Sequence, residues 1–277
     1  MACIMTKTKP FLKWAGSKFR CIDSILAALP KANRLIEPFT GSGAIFVNSS
    51  YNEYLLAEQN LDLVNLFQQV QQQGDVFIDY CERLFTPDNN LESVYYQLRE
   101  EFNQCKPSRR RAALFLYLNR HGYNGLCRYN QRGLYNVPFG RYSKPYFPRK
   151  EMQHFHAKSQ GVQFIQNDFR ATFDLAVPGD VIYCDPPYVP LSASASFASY
   201  TDRYFNEQDQ IDLAQLAMSS AEQGMTVILS NHDTPFTRHH YQTGDITSFP
   251  VKRFISCHAR TRFPVQELVA VFSKKCR

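Results

Sequence analysis

The sequence predicts an α/β protein on a mixed, mainly parallel sheet, with a helical insertion in its first half. Three observations lead there. Short apolar runs ending in polar or glycine-rich turns recur along the chain, a capped helical segment separates two of them, and from about residue 61 to 148 the alternation gives way to helical spacing and then to a turn-rich stretch. With 277 residues, 44% hydrophobic and 20% charged, the chain can bury a real core in one large domain or two small ones. That excludes a disordered tail or a fibre.

Leu35-Ile36, Tyr54 to Ala57, Phe164-Ile165, Val181 to Cys184 and Thr226 to Leu229 read as buried strands. Between the last two, Asn206 caps a segment whose Ile211, Ala214, Leu216 and Met218 approximate helical spacing, and Gly224 follows it, so these strands run parallel. Val251 to Ile255 and Glu267 to Phe272 are strand-like with no helical pattern between them, which predicts an antiparallel pair at one edge. In the insertion, Val64, Leu66-Phe67 and Val70, then Phe77, Tyr80-Cys81 and Leu84-Phe85, then Val94, Leu98 and Phe102 give helical spacings, followed by an apolar helix over Ala112 to Leu118. His121 to Tyr146 is rich in Gly, Asn, Tyr, Arg and Pro, which favours turns or a short hairpin.

Net charge is +6, but it is unevenly placed. Lys106 to Lys150 holds eleven Lys or Arg and no acid, leaving 20 basic against 25 acidic residues elsewhere. The same stretch holds nine of the 38 Phe and Tyr, and cations interleaved with rings can meet both phosphates and bases. Nucleic acid is therefore the first partner to expect. The eight cysteines are scattered with no C-x-x-C pair, so they read as buried small hydrophobes rather than metal ligands or disulfides. No secretory signal and no run approaching 18 apolar residues is visible, which points to a reducing, cytoplasmic setting without membrane.

Glu37-Pro38-Phe39-Thr40-Gly41-Ser42-Gly43 follows the first strand and precedes the helix-compatible Ala44 to Asn48. Its glycines allow a tight turn and close approach of a ligand, yet it lacks the Gly-Lys-Ser/Thr of a P-loop and the third glycine of the dinucleotide fingerprint. Alone it is equally a plain turn. Glu58 ends the next strand, where a carboxylate can hold ribose hydroxyls, and Asn167-Asp168-Phe169 follows a third strand; in that order the three describe a nucleoside pocket. Asp185-Pro186-Pro187-Tyr188 closes Val181 to Cys184. Its prolines remove two N–H donors and leave carbonyls, one carboxylate and a ring, a set suited to an exocyclic amine on a ring that can stack. His232 and the His239-His240 pair read as strand-end and surface residues, and no metal is expected.

Lys13 to Lys18, Glu37 to Gly43, Asn124 to Asn130, Asn136 to Tyr142, Asp185 to Tyr188 and Ser230 to Thr234 together resemble the DNA adenine methyltransferase family that methylates N6 of adenine in GATC. The resemblance implies a class I S-adenosylmethionine-dependent methyltransferase fold (Rossmann-like), with residues 1–60 and 149–277 as catalytic domain and 61–148 as a helical target-recognition domain. It implies S-adenosyl-L-methionine as cofactor, S-adenosylhomocysteine as product and double-stranded DNA containing GATC as partner of a monomer. Around the cofactor it sets Trp14, Lys18, Glu37, Phe39, Gly41, Gly43, Glu58, Asp168, Phe169 and Asp185. Asp185, Pro186 and Tyr188 are the implied catalytic residues.

For DNA it implies Lys13 at the first guanine, Arg128 at the last guanine-containing pair, Leu126 and Pro138 at the thymine methyl, and Tyr123 with Asn124 as a wedge beside a flipped base. Arg109 to Arg111, Arg120, Asn130, Asn136, Arg141, Tyr142 and Lys144 are candidates for phosphate contacts. Cys257 to Arg262 departs most from the family, where the loop is richer in Gly and Asn. Rival readings are an Asn/Asp-Pro-Pro-Tyr enzyme acting on RNA or protein glutamine, and a silent DNA-binding protein that keeps the fold.

Overall fold

The computed structural model describes residues 7–188, 205–251 and 265–274. Its strands are β1 (Arg34–Glu37), β2 (Glu53–Glu58), β3 (Gln163–Gln166), β4 (Val181–Cys184), β5 (Thr226–His232), β6 (Asp245–Val251) and β7 (Val265–Phe272). Its helices are α1 (Ile22–Ala28), α2 (Ala44–Asn48), α3 (Leu61–Gln73), α4 (Asp75–Glu82), α5 (Glu92–Gln104), α6 (Arg109–His121), α7 (Arg149–Lys158), α8 (Phe169–Phe173), α9 (Glu207–Glu222) and α10 (Pro235–His240). The chain forms two compact units, one from Met1–Phe19, Gly41–Ser49 and Glu58–Gln166, the other from Arg20–Thr40, Ser50–Ala57 and Asn167–Arg277.

Among the described residues, the strands formed largely by the second unit make one sheet in the order β2-β1-β4-β5-β7-β6. β1 pairs in parallel with β2 and β4, and β4 with β5, aligning Ile36 with Leu55 and Ile182, and Ile182 with Val227. β7 runs antiparallel between β5 and β6, making the sheet mixed as expected. Leu35, Ile36 and all of β4 are buried, the pattern of a parallel strand covered on both faces. The predicted central strands all form, and β5 extends three residues further, to His232.

Three expectations need correction. The edge strand expected over Val251 to Ile255 is Asp245–Val251; residues 252–255 lie outside the described residues. Most of β6 stays exposed, so its Asp-Ile-Thr-Ser-Phe-Pro-Val shows no apolar run, and Pro250 is tolerated because the strand is an edge. α9 begins with the expected Asn206 cap, a full capping box with Asp209, but it buries Gln210, Leu213, Ala214, Ala217, Ser220 and Ala221. That stripe of small and polar residues has little hydrophobic signal. Among the described cysteines only Cys81 and Cys184 are buried; Cys21, Cys105 and Cys127 are half-buried.

In the first unit, α3 to α6 form where helical spacing predicts them, α5 burying Tyr95 and Phe102. Phe11, Phe46, Phe67 and Phe164 surround Phe155 at ring centroid distances of 4.9–5.7 Å. Asp62, in the first turn of α3, is buried and accepts hydrogen bonds from Arg111 and, at 2.6 Å, from the Tyr129 hydroxyl. No helix among the described residues is long and apolar enough to cross a membrane.

Candidate functional site

In the first unit a glycine turn and a carboxylate face the Trp14 loop. Gly41 and Gly43 hold φ of +50° and +70°, and a Cβ on Gly41 would lie 3.1 Å from Trp14 Nε1, so the indole lies where any side chain would project. The Gly41 N–H donates to Glu58 Oε2 and the Asn60 N–H to Oε1, each at 3.1 Å. Burial raises the Glu58 carboxyl above its ordinary range, and these two bonds oppose the rise. Asn60 also caps α3 through its side chain. Ser17 and Ser42 share a hydroxyl hydrogen bond of 3.0 Å, and Lys18, buried, donates to the Gly16 carbonyl at 2.7 Å.

Lys13 and the predicted reading segment meet within this unit. Asn119, buried near the end of α6, accepts from the Lys13 N–H at 3.0 Å and donates to the Lys13 carbonyl at 2.7 Å and the Gly125 carbonyl at 3.2 Å. The Lys13 ammonium sits 3.8 Å above the Tyr142 ring, and the Tyr142 hydroxyl accepts from the Asn124 N–H at 3.0 Å. Partial burial, and then the nearby Arg120 charge, lower the Lys13 pKa to about 8. Tyr123 is half exposed, at 51%, beside Asn124 in the left-handed region at φ 54°.

The hairpin expected after His121 exists as two bridges, Gly122 with Phe139 and Tyr129 with Tyr135. Asn130 Oδ1 closes its tip by accepting from the N–H groups of Arg132 and Leu134. Arg128 donates to Asn136 Oδ1 at 2.7 Å and to its carbonyl at 3.1 Å, the Tyr135 hydroxyl holds the Leu126 carbonyl, and Pro138 and Arg141 are exposed.

Several basic residues expected at phosphates are engaged internally instead. Arg109 lies over Tyr80 and donates to the Val76 carbonyl, Arg110 pairs with Glu101, and Arg111 pairs with Asp62. Arg120 is 8% exposed and donates to the Tyr146 carbonyl at 2.9 Å. A charge run without nearby acids in sequence found its acids on other helices. Asn119 went unnoticed in the sequence because one polar residue closing an apolar helix resembles a helix end.

In the second unit, Asp185 follows β4, with Oδ1 accepting from the Ser230 hydroxyl at 3.2 Å. Tyr188 meets the His232 ring edge-on at 4.6 Å, and its hydroxyl donates to Glu267 Oε2 at 3.3 Å. Gln210 donates to the Pro187 carbonyl at 2.6 Å and accepts from Asn231, so the buried polar stripe of α9 braces the tetrapeptide. Glu37 is buried at the end of β1. Phe39 stacks on Phe169 at 5.5 Å, and Phe205, a ring the sequence reading passed over, packs on both. Asp168 caps α8 by accepting from the Arg170 N–H, while Arg170 reaches Asp209 and Asp212 at 2.5 Å. The Cys257 to Arg262 loop lies outside the described residues.

The model of the D12 class N6 adenine-specific DNA methyltransferases matches residues 14–255. The chain is similar to the DNA adenine methylase of Serratia marcescens, 47% identical over 269 residues that cover 97% of this chain and 100% of that one. It is also similar to the DNA adenine methylase of Escherichia coli, 46% identical with 97% and 96% covered, and to that of Vibrio cholerae, 44% identical with 97% and 98% covered. A family model that matches most of the chain and relatives matched along nearly their whole length agree: this chain belongs to the D12 class of N6 adenine-specific DNA methyltransferases.

Proposed function

We propose that this chain transfers the methyl group of S-adenosylmethionine to N6 of adenine in double-stranded GATC after turning the base out of the helix. One observation carries the reading: the Asp185 to Tyr188 tetrapeptide stands at the end of a buried parallel strand, its carboxylate braced from the next strand, in a chain whose family acts on adenine N6.

The residues present suit the cofactor: the first unit holds a glycine turn at positive φ beside a carboxylate able to accept ribose hydroxyls, and the second unit holds the stacked rings Phe39 and Phe169, flat faces for a base. Glu58 takes the hydroxyls and Asp168 the adenine moiety, with Trp14, Lys18, Glu37, Phe39, Gly41, Gly43 and Phe169 completing the contacts. When bound, S-adenosylmethionine supplies a methyl group activated by a positive sulfur. Adenine N6 is a poor nucleophile because its lone pair is delocalised into the ring. The Asp185 carboxylate and Pro186 carbonyl accept its hydrogens and favour the nitrogen as positive charge develops there, Asp185 acting as an electrostatic partner more than a strong base. Extrusion of the base costs a few kcal/mol, offset by stacking on Tyr188 and by Tyr123 and Asn124 filling the gap.

Residues 61–148 present the reading segment, with Lys13, Leu126, Arg128 and Pro138 at base edges and Asn130, Asn136, Arg141 and Tyr142 at the backbone. The same reading makes the protein a cytoplasmic monomer on duplex DNA. Incubation with labelled S-adenosylmethionine and duplexes carrying GATC, GATT or no adenine in the site tests it. Transfer confined to GATC with N6-methyladenine as product is expected; equal transfer to GATT would discard the site preference.

Lys13 adds a pH signature. With its pKa lowered to about 8, the ammonium is charged below that pH and loses its proton above it, so donation to guanine fades as pH rises. Affinity for a GATC duplex should fall several-fold between about pH 7 and 9 at constant ionic strength, and Lys13→Arg should flatten the profile. A native profile that is already flat would remove Lys13 from base reading.

A further inference from the structure

Ser230 lies in β5, wholly buried, and the β4–β5 register brings it level with Asp185, one step beyond the Cys184–Leu229 pair. Its Oγ is 3.2 Å from Asp185 Oδ1, 3.3 Å from the Cys184 carbonyl and 3.0 Å from the Tyr183 hydroxyl. A serine hydroxyl has one proton, so it cannot donate to all three at once. Tyr183 is 1% exposed, and burial, with the Asp185 charge beyond it, pushes its phenol well above the ordinary value. Tyr183 therefore stays protonated, and its hydroxyl is placed to donate to Ser230 Oγ, 3.0 Å away. Ser230 then turns its own proton to the remaining acceptors, of which the charged carboxylate is the stronger. Two buried hydroxyls thus point in sequence at the carboxylate. β4 and β5 are already joined by their ladder and by apolar burial, so strand cohesion alone does not call for this polar chain.

We propose that Ser230 and Tyr183 are positioning residues for methyl transfer: Tyr183 sets the direction of the Ser230 hydroxyl, and Ser230 holds Asp185 in the rotamer that meets the amine. The inference rests on Asp185 being the acceptor for adenine N6. It assigns a catalytic consequence to the first residue of the Ser230-Asn231-His232-Asp233-Thr234 stretch and to a tyrosine inside a strand.

Single-turnover transfer to a GATC duplex, at saturating cofactor and DNA, tests it with Ser230→Ala, Tyr183→Phe, the double variant, and Ser230→Ala combined with Asp185→Ala. Cofactor and duplex dissociation constants and thermal midpoints are measured in parallel. Ser230→Ala should slow the step about 10- to 100-fold and Tyr183→Phe about 3- to 10-fold, less than removal of a group that touches the reacting atoms. Because the hydroxyls act in series, the double variant should be no slower than Ser230→Ala, and Ser230→Ala should add nothing once Asp185 is gone. Both affinities should stay within about twofold of native, a split that a merely structural hydroxyl would not produce. Multiplicative losses, or rates that follow the thermal midpoint or the affinities, would overturn the assignment. A slow Asp185→Ala beside a fast Ser230→Ala removes Ser230 alone, whereas a fast Asp185→Ala removes the reading beneath it.

Discussion

Asp185→Ala is expected to slow methyl transfer by about two to three orders of magnitude, the scale of losing a preorganised group at developing charge, while cofactor and duplex binding stay near native. The residue follows a buried strand and is fixed by Ser230 from the neighbouring one, so its side chain contributes direction more than affinity. Truncation leaves the Ser230 hydroxyl its bond to the Cys184 carbonyl, so no buried donor is stranded and the fold should survive. Single-turnover rates beside equilibrium binding decide the matter. A loss of duplex binding equal to the loss of rate would make Asp185 a scaffold residue.

The second large effect is expected at Gly125. Its backbone lies at φ +64°, and a Cβ there would fall 2.2 Å from Lys13 Cβ and 2.6 Å from its Cδ. Alanine therefore carries both a left-handed backbone penalty of about 1 kcal/mol and a collision with the Lys13 side chain that begins at its Cβ. Because Asn119 bonds both the Gly125 and Lys13 carbonyls, displacing either strand of contact moves the other. Gly125→Ala should cost about 2–4 kcal/mol of stability, seen as a lower urea midpoint with unchanged slope. On the proposed role of Lys13 at the first guanine, it should also shrink the proposed preference for GATC over AATC, since Lys13 can no longer be held against the Gly125 turn. Native discrimination in the folded variant would separate Lys13 from recognition of the first base pair.

Legibility followed the physics of burial. Strands such as Leu35-Ile36 and Val181 to Cys184 were readable because burial on both faces demands continuous apolar residues. β6 was not, because an exposed edge imposes no such pattern, and α9 was only half readable, because its buried face uses alanine, Gln210 and Ser220. The strand-end positions of Glu58, the glycine turn and Asp185 were each legible in the sequence. Their partners were harder. Asn119 and Ser230 bond to residues 106 and 45 positions away, and the acids that neutralise Arg110 and Arg111 lie on α5 and α3. Local charge density overstated the basic surface for that reason.

The chain crosses between its two compact units several times, leaving the first at Phe19 and Ser49 and returning at Gly41 and Glu58 before departing at Gln166. No contiguous stretch therefore carries either unit whole. On a ribosome, β1 and β2 emerge early, yet β1 waits for β4, more than 140 residues later, to cover Leu35 and Ile36 on its other edge. Expression of the first 166 residues alone would leave that edge open for pairing with another chain. Proteolytic dissection or module grafting must then respect breaks at 19–20, 40–41, 49–50, 57–58 and 166–167, and a transplant of the proposed reading segment would carry Lys13 only by taking the amino terminus with it.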